Sequence, residues 1–150
     1  MKRPSALNLD FGRVLWFGLA LSGCLLGSVF AADKIQPTGT IEKVAGGFQF
    51  TEGPAWNGSE LFFTDIPAST IHRLKIDGSI SPLTTDSKHS NGIIFSGRRM
   101  LACQMDGQVV EYDSKTGLAT VLADEYAGKR FNAPNDLTID PTGGIYFTDP

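Results

Sequence analysis

The chain has 150 residues, 41% of them hydrophobic, and carries a formal charge of −3 from 13 basic and 16 acidic side chains. That length and balance suit one globular domain. The basic residues are scattered and outnumbered, which excludes a basic nucleic-acid-binding surface.

Taken in order, Lys2, Arg3 and Arg13 precede an apolar run from Leu15 to Phe30, and Val29-Phe30-Ala31 offers small residues at a cleavage position. This predicts a signal peptide over residues 1–31, cut between Ala31 and Ala32, and a periplasmic or secreted product. A run of about 16 residues is short for a membrane span of roughly 20. Leu21-Ser22-Gly23-Cys24 resembles a lipobox, so a lipid on Cys24 is the alternative and the one route to a membrane, although the residues after Cys24 stay apolar. Cleavage would remove Lys2, Arg3, Arg13 and Asp10 and leave 10 basic and 15 acidic groups. Cys103 would then be the one remaining cysteine, so no internal disulfide could form. Between apolar neighbours in a strand pattern, it reads as a small buried hydrophobe.

Residues 32–39 are expected to be a disordered lead-in. Thr40 to Val44 alternates as a short strand would, ends at Gly46-Gly47, and has no partner strand just before it. From there the chain repeats itself. Glu52-Gly53-Pro54-Ala55-Trp56 leads through Asn57-Gly58 into Leu61 to Asp65. Thr70 to Ile76 then alternates apolar and polar residues, Asp77-Gly78 makes a hairpin turn, and Ile80 to Leu83 gives a fourth strand. The second copy runs Asn91 to Phe95, Ser96-Gly97, Met100 to Cys103, Gln108 to Tyr112, a turn at 113–117, and Leu118 to Leu122. A third begins at Asn135-Asp136, with strands at Leu137 to Ile139 and Ile145 to Phe147 joined by Asp140-Pro141-Thr142-Gly143-Gly144. The polar entrance residues are 39 positions apart (52 to 91) and then 44 apart (91 to 135).

Four antiparallel strands per unit, repeated every 40–45 residues, are the signature of an all-β propeller. A sandwich also has many short strands, but it does not account for the similarity between units. About two and a half blades fit between residues 40 and 150. A closed ring needs at least four, so these residues are expected to be the N-terminal part of an incomplete propeller.

In a propeller the innermost strands line a central channel, and the loops that enter them converge at one mouth. Those positions here are Glu52, Asn91 and Asn135, which offer oxygen donors and no sulfur or imidazole. Such donors favour Ca²⁺, Mg²⁺ or Mn²⁺ over a dedicated zinc site. The same residue types also cap turns. No Gly-x-Ser-x-Gly elbow indicates an activated serine. His72 reads as a surface residue in mid-strand and Asp136 as a loop-holding group; His89, two residues before Asn91, is within reach of the channel mouth but is not assigned there.

The runs Glu52-Gly53-Pro54-Ala55-Trp56, Ser90-Asn91-Gly92-Ile93, Lys129-Arg130-Phe131-Asn132-Ala133-Pro134-Asn135-Asp136-Leu137 and Gly144-Ile145-Tyr146-Phe147-Thr148-Asp149-Pro150 resemble the gluconolactonase family. That family includes senescence marker protein (regucalcin) and luciferin-regenerating enzyme. The resemblance extends from about Val44 to Pro150 and implies a six-bladed propeller with an axial divalent cation that hydrolyses sugar lactones. It implies calcium as the first choice, with magnesium, manganese or zinc as alternatives. Carried over position by position, Glu52 and Asn135 would hold the metal, and Asn91, Arg130 and Asn135 would face the substrate. The regucalcin branch has an arginine where this chain has Ala133, and Arg130 stands in for it at best. The general base and the remaining ligands are expected beyond Pro150, so no catalytic residue is assigned and this stretch alone is expected to be inactive. A non-enzymatic calcium-binding propeller, or one resembling strictosidine synthase or paraoxonase, is the alternative.

Overall fold

The computed structural model describes residues 39–150. The expected leader at 1–31, with Cys24, and the lead-in up to residue 38 lie outside the described residues. Among the described residues every regular element is a strand, and no helix is long and apolar enough to cross a membrane.

The first blade is a four-stranded antiparallel sheet in sequence order: β1 (Thr51–Trp56), β2 (Glu60–Asp65), β3 (Thr70–Lys75) and β4 (Ile80–Thr84). The second has the same order: β5 (Ser90–Ser96), β6 (Arg99–Gln104), β7 (Gln108–Tyr112) and β8 (Ala119–Ala123). A two-residue ribbon follows, β9 (Glu125–Tyr126) against β10 (Lys129–Arg130), and then the pair β11 (Leu137–Ile139) and β12 (Ile145–Phe147). The expected blade strands therefore form, with ends shifted by a residue or two. The ribbon of β9 and β10 was not anticipated. Residues 41–48 form no strand. Alternation alone does not make one, because a strand needs a neighbour to take its backbone hydrogen bonds.

Continuous apolar runs such as Met100-Leu101-Ala102-Cys103 give the second blade two apolar faces, which it buries against its two neighbours. Phe62 and Ile71 of the first blade and Met100, Ala102 and Val110 of the second are fully buried in one shared core. Phe62 leans on Phe95 across that interface with ring centroids 5.3 Å apart. The opposite face of the second blade, Leu101, Cys103 and Val109, packs on Leu137 and the half-buried Ile139, Ile145 and Phe147. Burying one such large side chain contributes roughly 1.5–3 kcal/mol, so these two layers fix the blade-to-blade spacing.

Both complete inner strands bulge at the same place. In β1 three residue steps from Glu52 to Ala55 oppose two in β2, Thr64 to Phe62. In β5 Ser90 to Ile93 oppose Gln104 to Ala102 in the same way. A bulge re-aims the side chains beside it and commonly lies next to functional sites. Here it sets the direction of Glu52 and Asn91.

Candidate functional site

Three inner-strand entrances from three successive blades meet. Glu52, Gly53 and Pro54, Asn91, Gly92 and Ile93, and Asn135 with Asp136 line a single cavity of about 250 Å³. Two glycines make the approach close enough. Gly53 has a φ of 52°, and a Cβ there would run into the Asn91 carbonyl. A Cβ on Gly92 would stand 2.5 Å from Asp136 Oδ1 and 2.9 Å from the Asn135 carbonyl. The loops are also joined by hydrogen bonds. The Gly92 N–H donates to the Asn135 carbonyl at 2.8 Å, and the buried Thr64 hydroxyl donates to the Asn91 carbonyl at 3.2 Å.

The side chains are left free to act. Asn91 is buried, and its amide nitrogen donates to Met105 Sδ at 3.8 Å, so its oxygen remains available. Among the described residues neither the Glu52 carboxylate nor the Asn135 amide is engaged by a hydrogen bond. Asp136 also lines the cavity and holds its own loop. Its Oδ1 accepts the N–H of Leu137 at 2.8 Å, and its backbone exchanges bonds with Thr148. That is the loop-holding role expected for it.

One carboxylate and two amides offer hard oxygen donors, which fit Ca²⁺, Mg²⁺ or Mn²⁺ better than a soft metal. They are a partial set, since calcium takes six to eight oxygens. Among the described residues no three His, Cys, Asp or Glu side chains gather as a metal site. Any ion here would therefore need amide oxygen in addition to the Glu52 carboxylate.

The other candidates lie apart from this cavity. Arg130 reaches from β10 to the turn between β6 and β7, where its Nη2 donates to the Asp106 carbonyl at 2.9 Å. His89 is exposed, and its Nδ1 lies 2.8 Å from Asp106 Oδ1. Neither lines the cavity. His72 is not the surface residue expected. It is half-buried against two rings, 5.0 Å from Phe48 and 5.2 Å from Phe63 between centroids. Burial holds its pKa below the usual 6.5, partly opposed by the charge of Asp65. Phe48 precedes β1 and carried no strand signal to betray this contact. Cys103 is buried, and desolvation first, then the charges of Asp136 and Asp149, push its thiol up to about 12. It is no nucleophile at neutral pH. A larger hollow, about 940 Å³, lies at the far ends of the strands between the Asn57 and Asp113 turns. Both of its acidic groups are engaged, Asp113 by the N–H groups of Lys115 and Thr116 and Glu111 by Arg99, so the smaller cavity is the candidate site.

Residues 50–150 match the family described as the SMP-30/Gluconolactonase/LRE-like region. A gluconolactonase of Zymomonas mobilis is 35% identical over 136 residues, covering 79% of this chain and 38% of that protein. The structure of a gluconolactonase from Xanthomonas campestris superposes with a TM-score of 0.65 and 32% identity, over 69% of this chain and 36% of that one. A second solved structure, a putative gluconolactonase, gives 0.69 and 30% identity over 73% and 39%. A streptogramin B lyase, at 19% identity and a TM-score of 0.54, shares the fold alone. The chain spans somewhat under two fifths of the length of the relatives it matches.

Proposed function

The chain belongs to the SMP-30/gluconolactonase/LRE-like family, and from that premise we propose that it forms part of an exported, divalent-metal-dependent hydrolase of sugar lactones. The observation that carries this reading is the convergence of Glu52, Asn91 and Asn135 on one cavity from three successive blades. Glu52 and Asn135 would hold the ion, calcium before magnesium, manganese or zinc, and Asn91 and Asn135 would orient the lactone. A divalent ion in such a site polarises a lactone carbonyl and lowers the pKa of bound water.

The chain's own residues would do the positioning. The buried Asn91, fixed through Met105, offers a rigid acceptor or donor to a sugar hydroxyl. Asn135 is held by main-chain bonds to Thr148 and Gly92 on either side. Arg130 is tied to the Asp106 carbonyl, so it would meet substrate only at the rim. The group that deprotonates water would come from elsewhere in the whole protein: Cys103 stays protonated, and Asp136 Oδ1 serves its own loop by accepting the Leu137 N–H. The leader pattern over residues 1–31 supports export, which N-terminal sequencing of the mature protein would test.

The test of function is hydrolysis of gluconolactone by the whole protein. Activity abolished by chelation, restored by calcium and lost in Glu52→Ala is the expected result. Activity that survived both treatments would remove the metal-dependent reading, and a protein that bound calcium without cleaving any lactone would favour a non-enzymatic propeller.

A further inference from the structure

The entrance loops that carry Glu52 and Asn135 are each gripped by an aspartate at the end of the neighbouring strand of the same blade. Asp65 closes β2 and is 3% exposed. Its Oδ1 accepts the N–H of Phe50 at 2.9 Å and that of Gln49 at 3.2 Å, and its Oδ2 accepts Gln49 at 3.1 Å. Asp149 follows β12 and repeats the arrangement. Its Oδ1 accepts the N–H of Ala133 at 2.8 Å and its Oδ2 that of Asn132 at 2.9 Å.

The registers agree. Gln49 and Phe50 are the residues three and two ahead of Glu52, and Asn132 and Ala133 are three and two ahead of Asn135. Both aspartates end the same triplet, Phe63-Thr64-Asp65 and Phe147-Thr148-Asp149. Hydrogen bonds from backbone N–H groups to a carboxylate are charge-assisted, shorter and about twice as strong as neutral ones. Neither aspartate lines the cavity.

The middle blade departs from the pattern, and its loop differs accordingly. Gln104 takes the place of the aspartate, paired with Ser90 as Asp65 is paired with Thr51. It donates to Tyr112 Oη at 2.8 Å and leaves its own Oε1 buried without a partner among the described residues. The loop it faces is held through Ser87, whose carbonyl accepts from Ser90 Oγ at 2.8 Å and from Tyr112 Oη at 3.2 Å. The residues three and two ahead of Asn91, Lys88 and His89, both adopt a φ of 53°. That left-handed conformation is costly for non-glycine residues. Where the carboxylate is missing, the loop is shaped by a buried network and a strained backbone instead.

We infer that Asp65 and Asp149 are positioning residues, which clamp the entrance loops so that Glu52 and Asn135 present their oxygens to the shared cavity. The clamp is read from the hydrogen bonds, and its consequence for ion binding rests on the function proposed above. The test is amide hydrogen exchange on the whole protein, followed by calcium titration. In Asp65→Ala, peptides over residues 47–53 should exchange at least tenfold faster, while those over 130–136 keep wild-type protection. Asp149→Ala should do the reverse. Asp65→Asn, which keeps one acceptor oxygen, should restore part of the protection. Calcium affinity should fall roughly tenfold to a hundredfold in each alanine variant, as for other groups that orient metal ligands. Phe62→Leu, a core change of the same blade, controls for general destabilisation and should leave residues 47–53 protected. Unchanged protection at 47–53 in Asp65→Ala, or equal loss in Phe62→Leu, overturns the clamp. Faster exchange with unaltered calcium affinity overturns its link to the ligands. A wild-type protein that binds no divalent ion sinks the proposed function, and the exchange data then decide the clamp alone.

Discussion

The backbone N–H of Gly92 donates to the carbonyl of Asn135 at 2.8 Å, so the second and third inner-strand entrances are joined main chain to main chain at the cavity. The space between them admits no side chain. A Cβ on Gly92 would sit 2.5 Å from Asp136 Oδ1 and 2.9 Å from the Asn135 carbonyl, and backbone cannot swing aside as a side chain can. Gly92→Ala should therefore push Asn135 outward. A displacement of 1 Å at a reacting site can cost about a hundredfold in rate. We expect kcat/KM on gluconolactone to fall by at least about tenfold, with overpacking of roughly 1–3 kcal/mol in urea unfolding. Wild-type kinetics in a folded Gly92→Ala protein would show that Asn135 does not need this contact.

Ion binding should depend unequally on the three entrance residues. Glu52 brings the only full charge among them, and Asn135 and Asn91 bring amide oxygens. Glu52→Gln keeps the shape and removes the charge. Calcium affinity by isothermal calorimetry should fall by more than the roughly 10–100-fold that outer groups cost, and by less in Asn91→Ala. Equal losses at 52 and 91 would argue against Glu52 as the principal ligand.

Much of this was legible in the chain itself, for reasons that differ by element. The blade strands are short apolar-rich runs bounded by Asn-Gly, Asp-Gly and Ser-Gly turns, so their existence followed from local chemistry. The convergence of Glu52, Asn91 and Asn135 followed from the repeat, because equivalent positions in successive blades occupy equivalent places around one axis. What escaped was set by long-range contact. The ribbon of β9 and β10 is four exposed residues around Ala127-Gly128, a turn with no strong signal. Thr40 to Val44 has the alternation but no neighbouring strand. Phe48 lies in no strand, so nothing local announced that it would cover His72. Arg130 could be read from the chain as no more than a stand-in for a substrate arginine or a loop cation, and its bond to the carbonyl of Asp106 was not visible there. The paired Phe-Thr-Asp triplets were visible, yet the hydrogen bonds that Asp65 and Asp149 make were not.

Acid should loosen the hairpin of β11 and β12. Asp140 accepts hydrogen bonds from the Thr142 hydroxyl and N–H, both at 2.7 Å, from the Gly144 N–H at 2.9 Å and from Tyr146 Oη at 3.2 Å. The Thr142 hydroxyl, then the Gly144 amide, lowers its pKa from 3.8 to about 2. A depressed carboxylate means that the unfolded chain binds the proton first as pH falls. Its stabilisation is therefore present above pH 3.8 and is lost on the way down through about 2. Urea midpoints measured across that range should show this slope in the wild type and less of it in Asp140→Ala. Since the carboxylate is exposed, added salt should shrink the difference.

His72 should add a second pH dependence at higher pH and by a different cause. Its ring lies against Phe48 and Phe63, where removal from water disfavours the imidazolium, and the negative charge of Asp65 only partly compensates. The folded pKa lies below 6.5, so the unfolded chain takes up the proton first on acidification. Stability is then complete above pH 6.5, declines as pH falls from there through the lower folded value, and levels off beneath it. His72→Phe keeps an aromatic ring against Phe48 and Phe63 and removes the titration. Its unfolding midpoint should be flat between about pH 5 and 7, where that of the wild type slopes. The same slope in both proteins would mean that the ring is hydrated in solution and that the Phe48 contact does not persist.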